Sequence, residues 1–281
     1  AQGASGGGGA GFGGALFVRE GGTVVLMSTG SNTAYENNTV LPGAGGDSSA
    51  QQGLSGGGDV YVDSGVVGRF NIANGATLVS RGTIAGRGGI AIEGGGRLAL
   101  ANRAEFESTA AIANGVLLTL DGMLAGSLVS VDGVLSGTGS LGPVTNHGVL
   151  APFAVSGNTP GFDIQGALDL KADSLTCIVL RAGGTAPGLR VAGSSNLGGS
   201  VFVRLPLNPS TSARYTILSS AGNMTGRFQS VRTSAPVEYS VHYLPHSVEL
   251  NVGASEFIFR NGFDPPQMTD PCANIYVPVD P

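Results

Sequence analysis

The chain has 281 residues, of which 41% are apolar and 49 are glycine, and it contains no tryptophan. This apolar content excludes simple disorder, and the scarcity of aromatics leaves Val, Leu, Ile and Ala to fill a core. Charged residues make up only 12%, about half the usual share, and the net charge is −5 with no basic run. Nucleic-acid capture by charge and a polybasic membrane patch are therefore excluded.

The chain begins at Ala1 with no charged and apolar leader, and no apolar run approaches the roughly 20 residues that span a bilayer. We expect a mature secreted form or a fragment whose signal segment has been removed. Cys177 and Cys272 have neither metal-ligand nor redox spacing. Two alternatives remain for them: a disulfide that holds the tail in an oxidising compartment, or an apolar Cys177 and a free thiol at Cys272.

Residues 1–58 form a glycine-rich first region. Two β-like runs, 15–18 and 23–26, flank a Glu-Gly-Gly turn, and the polar stretch 28–58 reads as a long loop.

Residues 59–156 form a second region of repeating strands about four residues long. The turns between these strands pair Asn or Asp with Gly, residues that tolerate positive φ: Asn74-Gly75, Asn114-Gly115, Asp121-Gly122 and Asp132-Gly133. Such turns also suit antiparallel hairpins. The repetition of these units favours stacked coils over hairpins, because a unit this short cannot bury an apolar face unless a neighbouring unit covers it. The segment 102–113 has a helix-compatible composition with a weak apolar stripe, and we favour two short strands there.

Residues 157–252 form a third region with longer predicted strands. Alternation at 237–243, a turn at Pro245-His246 and a return strand at 247–252 predict a terminal hairpin that caps the stack. Residues 253–281 are expected to form a partly disordered tail. Its apolar segment 257–264 could dock on the domain or be recognised by another protein complex.

Several motifs in residues 115–252 resemble the passenger end of bacterial autotransporters in order and spacing. They are Leu-Ser-Gly-Thr-Gly-Ser-Leu at 135–141, Asn-His-Gly-Val-Leu-Ala-Pro at 146–152, Gly-Phe-Asp-Ile-Gln-Gly-Ala-Leu at 161–168 and Tyr-Thr-Ile-Leu at 215–218. The resemblance implies a right-handed parallel β-helix, a C-terminal autochaperone-like region and display outside a Gram-negative cell.

Two features depart from that family. Its usual Ala-Pro-Gly is replaced by Ala151-Pro152-Phe153, which predicts a remodelled turn. The strands of a membrane β-barrel do not follow residue 252, so we do not expect this chain alone to carry out its export. The tail at 257–264 is similar to short endings of exported gammaproteobacterial proteins.

Candidate chemistry is sparse. A polysaccharide-cleaving β-helix would align carboxylates from successive coils, and Asp121 and Asp132 are the best candidates, although both read more simply as turn residues. The histidines His147, His242 and His246 lack ligand-spaced partners, and His242 should lie on a polar face beside Glu238 and Ser240.

Other binding motifs are weak. A calcium-binding glycine repeat would have to recur, whereas Gly56-Gly57-Gly58-Asp59 occurs once, and no phosphate-loop ending is present. Four aromatics are too scattered to predict a carbohydrate platform: Tyr35, Tyr61, Phe70 and Phe106.

The sequence therefore predicts an all-β, right-handed parallel β-helix, or solenoid, capped by a C-terminal hairpin. We expect a secreted or surface-displayed, non-enzymatic protein for adhesion or structural display, without cofactor or metal. Its expected partners are host or matrix glycans or proteins, with export machinery as a further partner. The alternative is an extracellular lyase or hydrolase acting on acidic polysaccharide.

Overall fold

Short β-strands make up the regular secondary structure of the described chain. The computed structural model describes residues 7–30, 33–46, 50–153, 160–181, 187–206, 213–235, 237–253, 269–273 and 275, and no helix occurs among them. In this part of the chain there is accordingly no helix able to cross a membrane. The all-β prediction is confirmed.

The strands follow in chain order. The first six are β1 Gly11–Phe12, β2 Leu16–Val18, β3 Val25–Ser28, β4 Thr33–Tyr35, β5 Ser55–Gly56 and β6 Val60–Val62. The next twelve are β7 Val67–Ile72, β8 Thr77–Ser80, β9 Ile84–Gly86, β10 Gly89–Gly94, β11 Arg97–Leu100, β12 Arg103–Phe106, β13 Thr109–Ile112, β14 Leu117–Ala125, β15 Leu128–Val131, β16 Val134–Leu141, β17 Val144–Asn146 and β18 Val149–Pro152. The last eleven are β19 Phe162–Ile164, β20 Leu168–Leu170, β21 Leu175–Val179, β22 Leu189–Val191, β23 Ser195–Leu197, β24 Ser200–Arg204, β25 Arg214–Ser220, β26 Met224–Gly226, β27 Ser230–Thr233, β28 Tyr239–Tyr243 and β29 Ser247–Val252.

Parallel pairing sorts all but four of these strands into three stacks; β1 pairs with β5 in a separate two-stranded sheet, and β28 and β29 pair antiparallel. Stack A is a nine-stranded sheet formed by β3, β7, β10, β13, β15, β17, β20, β23 and β26. Stack B contains β4, β8, β11, the first halves of β14 and β16, β18, β21, β24 and β27. Stack C contains β2, β6, β9, β12, the second halves of β14 and β16, β19, β22 and β25. The chain visits stacks C, A and B in turn, so each circuit adds one layer to all three stacks. This parallel pairing is compatible with the predicted solenoid.

Aliphatic columns fill the space between the stacks. In stack A the register aligns Phe70 with Ile92, Ile92 with Ile112, and Ile112 with Val131, and all four are buried. Alternate residues of each strand point inward because successive side chains face opposite sides of a sheet. The Val, Ile and Leu of the short repeats therefore form one continuous core.

The prediction of longer strands after residue 157 is wrong. The longest strands are β14, with nine residues, and β16, with eight, and each passes from stack B into stack C without a break. Gly137 allows this passage in β16: its φ is +126°, and a Cβ there would lie 1.9 Å from the carbonyl oxygen of Leu120. The circuits do lengthen, since Ala110 pairs with Val129 whereas Ser195 pairs with Met224, but the added residues lie between strands.

The segment 102–113 contains two strands, β12 and β13, as favoured by the sequence. The predicted hairpin is also confirmed, since β28 and β29 pair antiparallel and β29 pairs antiparallel with β25. The backbone N–H of Leu244 donates to the carbonyl of Ser247, which closes the turn that contains Pro245 and His246.

A C-terminal segment lies against the outward side of stack B, and we call residues 269–273 and 275 the strap. Arg204 of β24 donates to Asp270 with an Nε to Oδ2 distance of 3.0 Å, and Cys177 of β21 forms a disulfide with Cys272. The Ser136 hydroxyl of β16 donates to the Ile275 carbonyl at 3.3 Å. The strap thereby attaches to three layers of stack B, and of the two alternatives for the cysteines the disulfide is the one found. The predicted segment 257–264 lies outside the described residues.

Candidate functional site

Three aromatic side chains cluster on the outward side of stack C. Phe17 of β2 and Tyr61 of β6 are paired in register and lie between inward-facing valines and leucine, so their rings point away from the core. Phe12 of β1 joins them from outside the stack. The ring centroid of Tyr61 lies 4.5 Å from that of Phe12 and 5.7 Å from that of Phe17.

The glycine-rich start of the chain places Phe12 in this cluster. The strand β1 pairs in parallel with β5, and the N–H of Gly13 donates to the carbonyl of Gly56 at 3.1 Å. Gly13 has φ +66°, and a Cβ there would lie 2.3 Å from the Leu16 carbonyl oxygen, so the turn from β1 into β2 requires glycine. This turn brings Phe12 back over the β2 and β6 aromatics.

The rings form one wall of an open cleft of about 660 Å³, which we call the aromatic cleft. Its polar lining comes from the loops and strands of the neighbouring layers. Four charged side chains contribute to it: Asp63, Arg87, Glu105 and Glu107. The lining thus combines an apolar wall with three carboxylates and one guanidinium group.

Two of these carboxylates have ionic partners. Asp63 accepts from Arg87 at 2.7 Å and from the N–H of Ser64 at 2.8 Å, whereas Glu105 pairs with Arg103 at 2.5 Å. The Ser64 N–H and then the Arg87 guanidinium lower the pKa of Asp63, and Asp63 in turn raises the pKa of Arg87. Asp63 and Arg87 are therefore both charged at neutral pH.

The four aromatics named from the sequence do not form a platform with one another, as expected, and Tyr61 instead clusters with Phe12 and Phe17. Phe70 is in the core, and Phe106 is also buried, although it contributes to the base of the cleft. Tyr35 lies apart from the cleft, and its burial, followed by the charge of Asp59, raises its pKa. Sequence reasoning missed Phe12 and Phe17, whose only signal was two phenylalanines within a glycine-rich opening.

Asp121 and Asp132, the best candidates for catalysis, occupy different corners of the coil. Asp121 lies where β14 passes from stack B to stack C and accepts from the Thr138 hydroxyl at 3.1 Å. Asp132 lies in the turn between β15 of stack A and β16 of stack B. The structure does not bring the two carboxylates together.

Asp132 instead lines a second cleft, which we call the corner groove. It has a volume of about 630 Å³, and its ionisable lining residues are Asp132, His147 and Asp173. The Nδ1 atom of His147 lies 3.3 Å from a carboxylate oxygen of Asp173. One imidazole and two carboxylates are thus the ionisable groups that successive layers present at this corner.

The remaining histidines lie in the terminal hairpin. His242 is exposed beside Ser240, with 3.0 Å between Nε2 and the hydroxyl oxygen, and pairs across the hairpin with Glu249. His246 Nδ1 lies 3.2 Å from the Gly222 carbonyl oxygen. Each of them therefore contacts local polar groups.

Asp59, which follows the run Gly56-Gly57-Gly58, is fully buried. Its carboxylate accepts from the Asn38 amide at 2.9 Å, the Ser80 hydroxyl at 2.6 Å and the Gly82 N–H at 2.8 Å. These donors give Asp59 a structural role between layers. Across the described ranges no group of three or more His, Cys, Asp and Glu side chains is arranged to hold a metal ion.

Comparison with known proteins adds no family to these observations. No protein-family model matches the chain. No curated protein matches it at a significant level either.

Proposed function

We propose that the chain is a right-handed parallel β-helix of the passenger type, capped by its terminal hairpin, that serves adhesion or structural display outside a Gram-negative cell. The aromatic cleft is the observation that carries this function, because it is an open apolar surface lined by polar groups. The repeated circuit through stacks C, A and B supports the solenoid architecture, which offers long outward faces to a partner.

The disulfide supports a location outside the cytosol. Disulfides persist in oxidising compartments and are rare where thiols are kept reduced. The pair joins Cys177 to Cys272 across 95 residues of sequence, and both residues are buried. The resemblance of residues 115–252 to autotransporter passengers points to the same location.

Adhesion is tested with the purified full chain on immobilised glycans, matrix proteins and whole cells, with albumin-coated wells as the control surface. We expect saturable binding to at least one of the test surfaces and none to albumin. Equal signal on all surfaces, albumin included, or binding to none would contradict the adhesive role.

An extracellular polysaccharide-cleaving enzyme is the second candidate, and the corner groove is the observation that favours it. Asp132, His147 and Asp173 there could supply general acid and base groups. Release of new reducing ends from acidic polysaccharide, lost in Asp132→Asn and retained in Asp121→Asn, would establish this candidate. Unchanged polysaccharide after incubation with the native chain would eliminate it.

A further inference from the structure

We infer that the aromatic cleft binds uncharged pyranose oligosaccharides, an inference that rests on the proposed adhesive function and names its ligand class. A pyranose ring has apolar C–H faces and a rim of hydroxyl groups. The cleft offers the complement of both: an aromatic wall, and charged side chains that exchange hydrogen bonds with hydroxyls.

The aromatic wall is exposed to solvent at Phe17, whereas Phe12 and Tyr61 are half-buried. Phe17 is 46% exposed although its strand neighbour Val18 is in the core, and Leu54, which also lines the cleft, is 72% exposed. The ring centroids of Phe12 and Phe17 lie 6.4 Å apart, so these two rings and Tyr61 form a triangle of mutual contacts. Contacts between rings hold the wall in place before a ligand arrives, which lowers the entropy lost on binding.

The polar wall carries an ion pair. Asp63 accepts from Arg87 at 2.7 Å, and the carboxylate and guanidinium together can accept from and donate to neighbouring hydroxyls. Glu107 also lines the cleft, and no ion pair is found for it among the described residues. Its carboxylate is thus a further acceptor for a hydroxyl group.

Charge selects against acidic polysaccharides. Three carboxylates and one guanidinium line the cleft, so a polyanion such as a uronic-acid polymer meets repulsion. For a cationic sugar, Asp63 and Glu105 are already paired with Arg87 and Arg103, which leaves Glu107 as the carboxylate of the lining that it could pair with. A neutral sugar can bind without breaking either ion pair.

The test is calorimetric titration of the full chain with hexasaccharides of three charge types. The neutral probes are cellohexaose, maltohexaose and hexa-N-acetylchitohexaose, the anionic probe is hexagalacturonate and the cationic probe is the chitosan hexamer. We expect saturable binding of at least one neutral probe and at least about tenfold weaker binding of hexagalacturonate.

Two aromatic variants and a matched control assign this binding to the cleft, and a fourth substitution tests the charge of Glu107. Phe17→Ala and Tyr61→Ala should each weaken the neutral probe by about tenfold or more. Tyr239→Ala removes another exposed aromatic, in the terminal hairpin, and should leave the affinity unchanged. Glu107→Gln, which keeps an acceptor, should weaken the neutral probe no more than about threefold. Circular dichroism confirms that each variant is folded.

Three results would overturn the inference: no neutral probe binds, Phe17→Ala binds as well as the native chain, or only the chitosan hexamer binds. Adhesion in the surface assay that Phe17→Ala and Tyr61→Ala leave intact would contradict the glycan site and keep the proposed function. Hexasaccharide binding in solution without adhesion to any surface would keep the glycan site and contradict the proposed function.

Discussion

Two outward-facing apolar surfaces of this protein differ in their exposure to solvent. On stack B, Phe202 points away from the core but is only 3% exposed, because the strap covers it together with Ala151 and Cys177. On stack C, Phe17 also points outward and is 46% exposed. The first surface is covered by the strap, which is part of the same chain. The second presents Phe17 to solvent, which is why we assign ligand binding to it.

The largest expected effect comes from releasing the strap. Cys272→Ser removes a disulfide that closes a loop across 95 residues, so we expect the free energy of unfolding to fall by about 4 kcal/mol. Urea unfolding monitored by circular dichroism measures this loss. The native chain in reductant should match the variant, and the double variant Cys177→Ser/Cys272→Ser serves as the control without a free thiol. A native chain equally stable with and without reductant would contradict the role of the strap.

The next effect compares the two phenylalanines directly. Phe202→Ala creates a cavity beneath the strap and should lower the free energy of unfolding by about 3 kcal/mol. Phe17→Ala removes a half-exposed ring and should lower the free energy of unfolding by less than about 1 kcal/mol. Both are measured by the same urea titration. Equal losses would show that the aromatic cleft is as much a structural contact as the covered surface.

A smaller loss of stability is expected when the ion pair between Arg204 and Asp270 is removed. Asp270 accepts from Arg204 and from the N–H of Cys272 at 2.8 Å, so Asp270→Asn should cost about 1 kcal/mol. In the Cys272→Ser background, where the strap is already released, the same substitution should cost nearly nothing. A double-mutant cycle measures this coupling, and additive losses would contradict a single cooperative strap.

The smallest effect is a pH dependence at the aromatic cleft. The pKa of Asp63 is lowered in the folded state, so its contribution to stability is present above the unfolded pKa of about 3.9 and is lost as the pH falls through the lower folded value. The melting temperature of the native chain should therefore exceed that of Asp63→Asn near pH 6, and the gap should narrow below about pH 4. A gap that stays constant from pH 6 to pH 2.5 would contradict this linkage.

Much of the strand content was predictable from local sequence. Alternation and Asn-Gly or Asp-Gly turns predicted short strands, and β12 and β13 occur where the ambiguous segment 102–113 was assigned to strands. The hairpin of β28 and β29 was predictable for the same reason, since its two strands are close in sequence. These features depend on residues close together in the sequence, and their strand and turn preferences can be recognised without knowledge of the fold.

The sites depended on the circuit length, which the sequence does not display. Leu120-Asp121-Gly122 and Val131-Asp132-Gly133 look like one repeat, yet they lie at different corners, because a circuit is longer than the spacing between them. Phe17 meets Tyr61 only because β2 pairs with β6 across the polar segment between them. Spacing in the sequence was therefore a poor guide to which side chains share a cleft.

The sequence by itself determined that the chain is all-β and that small aliphatic residues alternate with polar ones in short strands, because side-chain alternation and turn preferences are local properties. Tertiary structure decided the layer-to-layer register, the pairing of Cys177 with Cys272 and the assembly of Phe12, Phe17 and Tyr61. These contacts join residues far apart in the chain, and the length of the intervening circuit sets whether they meet. The tertiary structure likewise left one outward aromatic surface open and placed the strap over the other.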